Sequence, residues 1–249
     1  MRLTIPHDRA LNGRTEMNLN MYHSYFQVLG QKLFQASGIP SVKAWRVRLR
    51  RNGEDPLEAA SIDEHHGSWA QLQPLDQAYL DEAFPLDPQG NLYREGRWEY
   101  RPSGDYQNAD WAKQSNTSDS DYSDIHALMD ILVNRTGDAD YLTRLAAVAD
   151  VDQWLLWFAT MAIMANSETN LSTGREDDFG VDDPRLKLLP HDLDAILTAS
   201  TADPATFTLL DMVDNGDAVA ALVPLFARPE IRKRYYEALR HLLATTFSK

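Results

Sequence analysis

Oxygen-bearing side chains stand at two places where apolar segments end. Asp192 and Asp194 lie in "LLPHDLDAIL" (188–197), directly after the apolar "LKLL", and Glu168 and Asn170 lie in "ANSETN", where the apolar run "WLLWFATMAIMA" stops. Ends of rigid elements deliver side chains to a site. Carboxylates and an asparagine amide are ligand types that a hard cation such as Mg²⁺ selects, with oxygens at about 2.0–2.1 Å and often one or two carboxylates beside substrate phosphates. A bare Asp-x-Asp has a second reading, a turn and a helix cap leading into "AILTAS". Spacing alone leaves both open. His191 adjoins Asp192 and serves there either as a flat contact or as a simple filler. His65-His66, in the acidic turn "DEHHG", is read as solvent-facing.

The string Asp178-Phe179-Gly180 has the letters of a kinase metal-binding motif. It stands in the acidic run "EDDFGVDD", closed by Asp183-Pro184 and with no apolar strand leading in, so a solvated loop is expected. The run does not fit an EF-hand pattern either.

The elements that would position these residues follow from periodicity. "HSYFQVLGQKLFQASGIP" predicts a helix, with Phe26, Leu29, Leu33 and Phe34 at helical spacing and Gly38 and Pro40 ending it. In "AWRVRLRRNG", Trp45, Val47 and Leu49 alternate with Arg46, Arg48 and Arg50, the period of a half-buried strand whose arginines form a solvated face or, on a sharper reading, face phosphate. Residues 101–122 are polar and lack apolar periodicity, which predicts a long loop between two regions. Beyond them the chain is mainly helical. "SDIHALMDILVN" opens on capping residues, and "DVDQWLLWFATMAIMANSE" has Asp150 as N-cap and is apolar nearly all round, as a buried helix is. "RPEIRKRYYEALRHLLATTF" carries Pro229 for a first helical turn and a stripe of Ile231, Tyr235, Leu239, Leu242 and Leu243.

Composition narrows the function classes. The chain has 249 residues, 43% hydrophobic, enough for one large core or two modest lobes. No run approaches the roughly 18 apolar residues of a membrane helix. A net charge of −13 argues against nucleic acid, which is bound through clustered Lys and Arg. The absence of cysteine excludes disulfides and thiolate metal sites. Met1 leads into "RLTIPHDRALNGR" with no signal-peptide pattern, and localisation is weakly constrained.

Several phrases together resemble the CotH family of spore-coat protein H-like atypical kinases. They are "GRTEMNLN", "GIPSVKAWRVRLRRNGE", "GSWAQLQPLDQAYL", "GNLYR", "DYSDIHALMDIL", "DVDQWLLWFATMAIMANSETN", "LKLLPHDLDAIL" and "PLFARPEIRKRYYEALRHLL". Their order and spacing carry the resemblance over almost the whole chain. It implies an α+β, divergent protein-kinase-like fold in one domain over 1–249, with a mixed β-rich region at 1–100, a loop at 101–122 and a helical region at 123–249. It also implies transfer of the ATP γ-phosphoryl group to Ser or Thr of a protein, with Mg²⁺ or Mn²⁺, and a spore-coat, cell-surface or secreted setting. Asp192 becomes the principal metal ligand, Asp194 its companion, Glu168 the counterpart of the catalytic-loop aspartate and Asn170 that of the metal-binding asparagine. Trp69, Gln73, Arg94 and Leu186 fall at nucleotide-facing positions.

The departures from the family pattern bear on activity. Glu168 stands for Asp, Gln73 for a glutamate, Leu186 for an adenine-stacking tryptophan, His191 for the tryptophan of "P-W-D" and Trp69 for a tyrosine. Arg94 replaces a lysine, keeping the charge in a planar fork. The family's lysine-bearing upstream segment is not recognisable. These changes keep open a catalytically degenerate member acting as a surface- or coat-associated binding module. A metal-dependent phosphoesterase using the same carboxylates is a weaker third reading.

Overall fold

The computed structural model describes residues 2–11, 15–54, 68–86, 88–94, 96–109, 111–166, 177–182 (backbone only), 185–197 and 220–248. Among these the architecture is mixed α and β, with two four-stranded antiparallel sheets. The first contains β1 (Arg2–Thr4), β2 (Glu16–Asn20), β3 (Ala44–Val47) and β4 (Trp69–Leu72), in the order β1-β2-β4-β3. Its register sets Asn20 opposite Ala70 and Ala70 opposite Arg46. Side chains alternate between faces, so one face carries Asn18, Asn20, Ala70, Leu72, Ala44 and Arg46. On the other, Leu19 and Trp69 pack with Leu3, Val47 and Leu49.

Helix α1 (Ser24–Ala36) covers the first of these faces, with Val28 against Ala44 and Ala70. Its buried side is not the one that the apolar spacing predicts. Ser24, Gln27, Val28, Gly30, Gln31 and Phe34 are buried, whereas Phe26, Leu29 and Leu33 are only partly so. The helix thus buries three polar side chains, a costly choice unless they are hydrogen-bonded.

The second sheet runs β6 (Ala112–Lys113), β5 (Leu92–Arg94), β7 (Asp177–Asp182), β8 (Arg185–Pro190). Asp178-Phe179-Gly180 therefore belongs to strand β7 and not to a solvated loop. Ladder hydrogen bonds to β5 on one side and β8 on the other override the weak strand propensity of the acidic letters. Helix α2 (Gln77–Ala83), capped by the Asp76 carboxylate accepting from Tyr79 N–H at 3.1 Å, closes a small core of Val42, Tyr79, Leu80, Phe84, Leu92 and Leu189.

Among the described residues the helical part contains α3 (Ser123–Asn134), α4 (Tyr141–Val148), α5 (Val151–Met164), the short α6 (Val223–Phe226) and α7 (Pro229–Ala244). Helix α5 is buried on most of its circumference and packs on α7 and β8, as its composition predicts. Asp150 caps it, accepting from Gln153 N–H at 3.3 Å. The α7 stripe buries Ile231, Tyr235 and Leu242, while Leu243 is exposed. The edge of β8 is covered by side chains of α5. Gln153 Nε2 donates to the Leu188 carbonyl at 2.7 Å and Leu188 N–H donates back to Gln153 Oε1 at 2.9 Å, while Trp154 Nε1 donates to the Leu186 carbonyl at 2.9 Å. An edge strand is closed in this way without a further strand.

Segment 101–122 is mostly irregular apart from a short turn of helix at Gln107–Ala109 and strand β6, and it is anchored in the core. Tyr106 and Trp111 are fully buried, and Tyr122 nearly so. Gly96 has no room for a side chain, since a Cβ there would lie 2.2 Å from the Trp111 ring. Lys113 Nζ lies 5.0 Å from the centre of the Tyr122 ring and 3.8 Å from Asp119 Oδ2. The Tyr93 hydroxyl donates to Asp124, and burial, then the Asp124 charge, pushes the phenol well above its ordinary range.

Candidate functional site

A cleft of about 640 Å³ opens between α1, the inner face of the first sheet and the ends of β5, β6 and β8, within the usual range for small-molecule sites. Asn18 and Asn20 line it from β2, Gln27 and Gln31 from α1, Arg94 from β5, and Pro190, His191 and Asp192 from the end of β8. Sequence spacing could not show that Gln27 organises this end. Its Nε2 donates to Asp192 Oδ1 at 2.5 Å, and its Oε1 accepts from Leu193 N–H at 3.2 Å. One amide therefore fixes both the carboxylate and the backbone behind it. Asp192 itself has φ of +40°, a left-handed conformation that non-glycine residues rarely adopt. Close helix packing supports it. A Cβ at Gly30 would lie 2.7 Å from Leu193 Cδ1, so only glycine lets α1 approach this segment.

Across the mouth, Arg94 Nη2 lies 3.4 Å from His191 Nε2, a long contact between a fixed cation and an imidazole. Gln73 lines the cleft from its other end, and its side chain is engaged. Its Oε1 accepts from Lys43 N–H at 3.2 Å and its Nε2 donates to Glu82 Oε2 at 3.2 Å, while Lys43 Nζ pairs with Glu82. Gln73, Lys43 and Glu82 also border a second hollow of about 390 Å³ between α1 and α2.

The structure thus brings Gln73, Arg94, His191 and Asp192 to one cleft. Asp194 is 5% exposed and does not line it. Trp69 packs with Leu19 on the far face of the first sheet, and Leu186 lies in the main core at the start of α5, so neither borders the cleft. Glu168 and Asn170, like His65 and His66, lie outside the described residues. Gln27 and Gln31 were missed because a helix face is ordinarily read from its apolar residues. The available signal was Ser24, Gln27 and Gln31 recurring at i, i+3 and i+7 beside Val28 and Phe34.

Asp192 supplies hard oxygen, and the Gln27 bond engages only Oδ1. Such a donor suits Mg²⁺ or Mn²⁺ shared with phosphate oxygens. Among the described residues, no three His, Asp or Glu side chains gather as a metal-holding group.

Residues 6–249 match the family described as CotH kinase protein. The chain belongs to that family. No curated protein matches the chain closely enough to count as a relative. The match covers the first sheet from β2 onward, the whole second sheet and all the helices, so every described wall of the cleft except Arg2 falls within the CotH match.

Proposed function

We propose that this CotH protein is a metal-dependent atypical kinase of protein-kinase-like fold, transferring the γ-phosphoryl group of ATP to a Ser or Thr hydroxyl of a protein. The observation that carries the reading is Asp192, presented at the cleft by Gln27 with Oδ2 left for a cation, within reach of the same mouth as the Arg94 guanidinium. A bound Mg²⁺ or Mn²⁺ would neutralise phosphate charge and polarise the transferring group. Asp192 would hold that ion, and Arg94 would face phosphate oxygens with its planar fork. Gln27 keeps the carboxylate from turning. Glu168 is assigned as the acceptor-hydroxyl base and Asn170 as a second oxygen donor, both on family position. Phosphoryl transfer of this kind is chiefly positioning and charge neutralisation, so a carboxylate held by a buried amide is the part it most requires.

A second reading, a degenerate member that binds without transfer, is favoured by one observation. Gln73 replaces a family glutamate, and its amide is taken up by Lys43 and Glu82. The two readings separate on incubation with labelled ATP and Mg²⁺ or Mn²⁺. Incorporation into the chain or a Ser/Thr-rich acceptor, lost in Asp192→Asn, supports the kinase. A metal-dependent ATP shift of the melting point without incorporation supports the degenerate member, and the absence of both incorporation and shift would rule out the kinase and a nucleotide-binding degenerate member alike.

A further inference from the structure

The arginines of "WRVRLRRNG" form a feature that the cleft does not use. Arg46, Arg48 and Arg50 are exposed, while the alternating Val47 and Leu49 pack toward Leu19 and Trp69 on the far side of the sheet. Arg46 therefore lies on the side that carries α1 and the cleft, and Arg48 and Arg50 continue the exposed half of that alternation just beyond the end of the strand. Strand β3 is the outer strand of its sheet, with β4 its one strand partner among the described residues. Arg46 sits over the exposed Tyr25 ring at 5.6 Å and donates to Ser68 Oγ at 3.4 Å, and Arg50 donates to the Gly53 carbonyl at 3.0 Å. Among the described residues neither these two nor Arg48 enters an ion pair, whereas Arg2, Arg101, Arg135, Arg144 and Arg234 each pair with a carboxylate. In a chain with 37 acidic and 24 basic residues, three exposed cations on and just beyond an outer strand, none of them in an ion pair among the described residues, offer an anion a complementary surface. A net charge of −13 opposes a long polyanion such as nucleic acid, whose phosphates would run onto the acidic remainder. A short acidic peptide avoids that repulsion.

The sheet register gives the distance to the cleft. Asn20, which lines it, is opposite Ala70, and Ala70 is opposite Arg46. Two strand spacings are about 10 Å, which roughly three extended residues span. We infer that the Arg46, Arg48 and Arg50 row docks an acidic stretch of the protein acceptor, about three to five residues along the chain from the hydroxyl presented in the cleft. The inference rests on the proposed kinase function for the identity of its partner, but docking itself needs no phosphoryl transfer.

A fluorescein-labelled 12-residue peptide, with one serine and four glutamates beginning three residues away, is titrated into the protein by polarisation at low and moderate salt. The comparisons are its Gln-for-Glu counterpart, an equally charged single-stranded oligonucleotide, and the variants Arg46→Gln/Arg48→Gln/Arg50→Gln and Arg48→Gln/Arg50→Gln. The second variant spares the Tyr25 contact and guards against a folding defect in the first. The expected result is binding of the acidic peptide that weakens with salt, falls about tenfold or more in both variants, and is not matched by the neutral peptide. Equal binding by wild type and variants, equal binding of the neutral peptide, or tighter binding of the oligonucleotide would overturn the inference. Peptide binding without ATP-dependent incorporation would uphold the docking row while removing the kinase reading.

Discussion

Gln27 and Asp192, 165 positions apart, share a 2.5 Å hydrogen bond, and the same amide holds Leu193 N–H at 3.2 Å. The first helix thereby sets the orientation of an acid that stands at the end of the second sheet. Removing the Gln27 amide, which leaves Asp192 and Leu193 N–H without it, is costly, since a hydrogen bond to a charged group contributes roughly 1.5–3 kcal/mol and a neutral one about 1 kcal/mol. Gln27→Leu is expected to destabilise the protein by about 2–4 kcal/mol in urea unfolding. It also lowers any metal-dependent ATP shift of the melting point. An unchanged ATP shift would mean that Asp192 needs no such support.

Gly30→Ala tests the close packing of α1. A new Cβ meets Leu193 at both Cβ and Cδ1, within 2.8 Å, whereas Gly137 has nothing within 4 Å. Overpacking costs about 1–3 kcal/mol. Gly30→Ala should lower the unfolding free energy measured in urea by that amount and depress ATP-dependent activity, while Gly137→Ala changes neither.

Much of this arrangement was legible in the sequence, and the reasons for the misses are specific. Helix α5 and its Asp150 cap, helix α7 from Pro229 and the alternation at Trp45–Arg50 follow from local patterning, which tertiary contacts did not overturn. Asp178-Phe179-Gly180 misled because a strand with partners on both sides needs little intrinsic propensity. Gln27 misled because a buried amide facing a distant carboxylate looks, in one dimension, like a surface residue. The resemblance of successive phrases to the CotH family was readable in the sequence, but only the register separated Trp69 from the cleft face.

Trp111 carries the test of the 101–122 segment. It is fully buried, meets Tyr93 edge-on at 5.9 Å and donates from Nε1 to the Arg97 carbonyl at 3.1 Å. Trp111→Ala is expected to cost about 3–5 kcal/mol by urea unfolding. A loss below about 1 kcal/mol would return the segment to a peripheral loop.

The start of α5 carries a pH dependence. Burial pushes the Asp150 carboxyl up, but the 2.6 Å bond from Lys187, the Gln153 N–H and the charges of Lys187 and Arg185 together outweigh it and leave it lowered. A carboxyl lowered by folding stabilises the native state above its unfolded value, near 3.9, and loses that contribution as pH falls through the folded value. Asp150→Asn should therefore be less stable than wild type at pH 7, with the gap narrowing below about pH 4. A gap independent of pH would show that the cap alone, and not the charge, matters.

Asp192→Asn tests the central claim most directly, because the amide keeps an oxygen for Gln27 and removes only the charge. The measurement is incorporation of labelled phosphate from ATP, with Mg²⁺ or Mn²⁺, into the chain and a Ser/Thr-rich acceptor, alongside thermal unfolding. Wild type should transfer phosphate, and Asp192→Asn should transfer about 100-fold less at a melting temperature within a few degrees of wild type. Equal transfer by both proteins, or no metal-dependent transfer by wild type, would contradict the account.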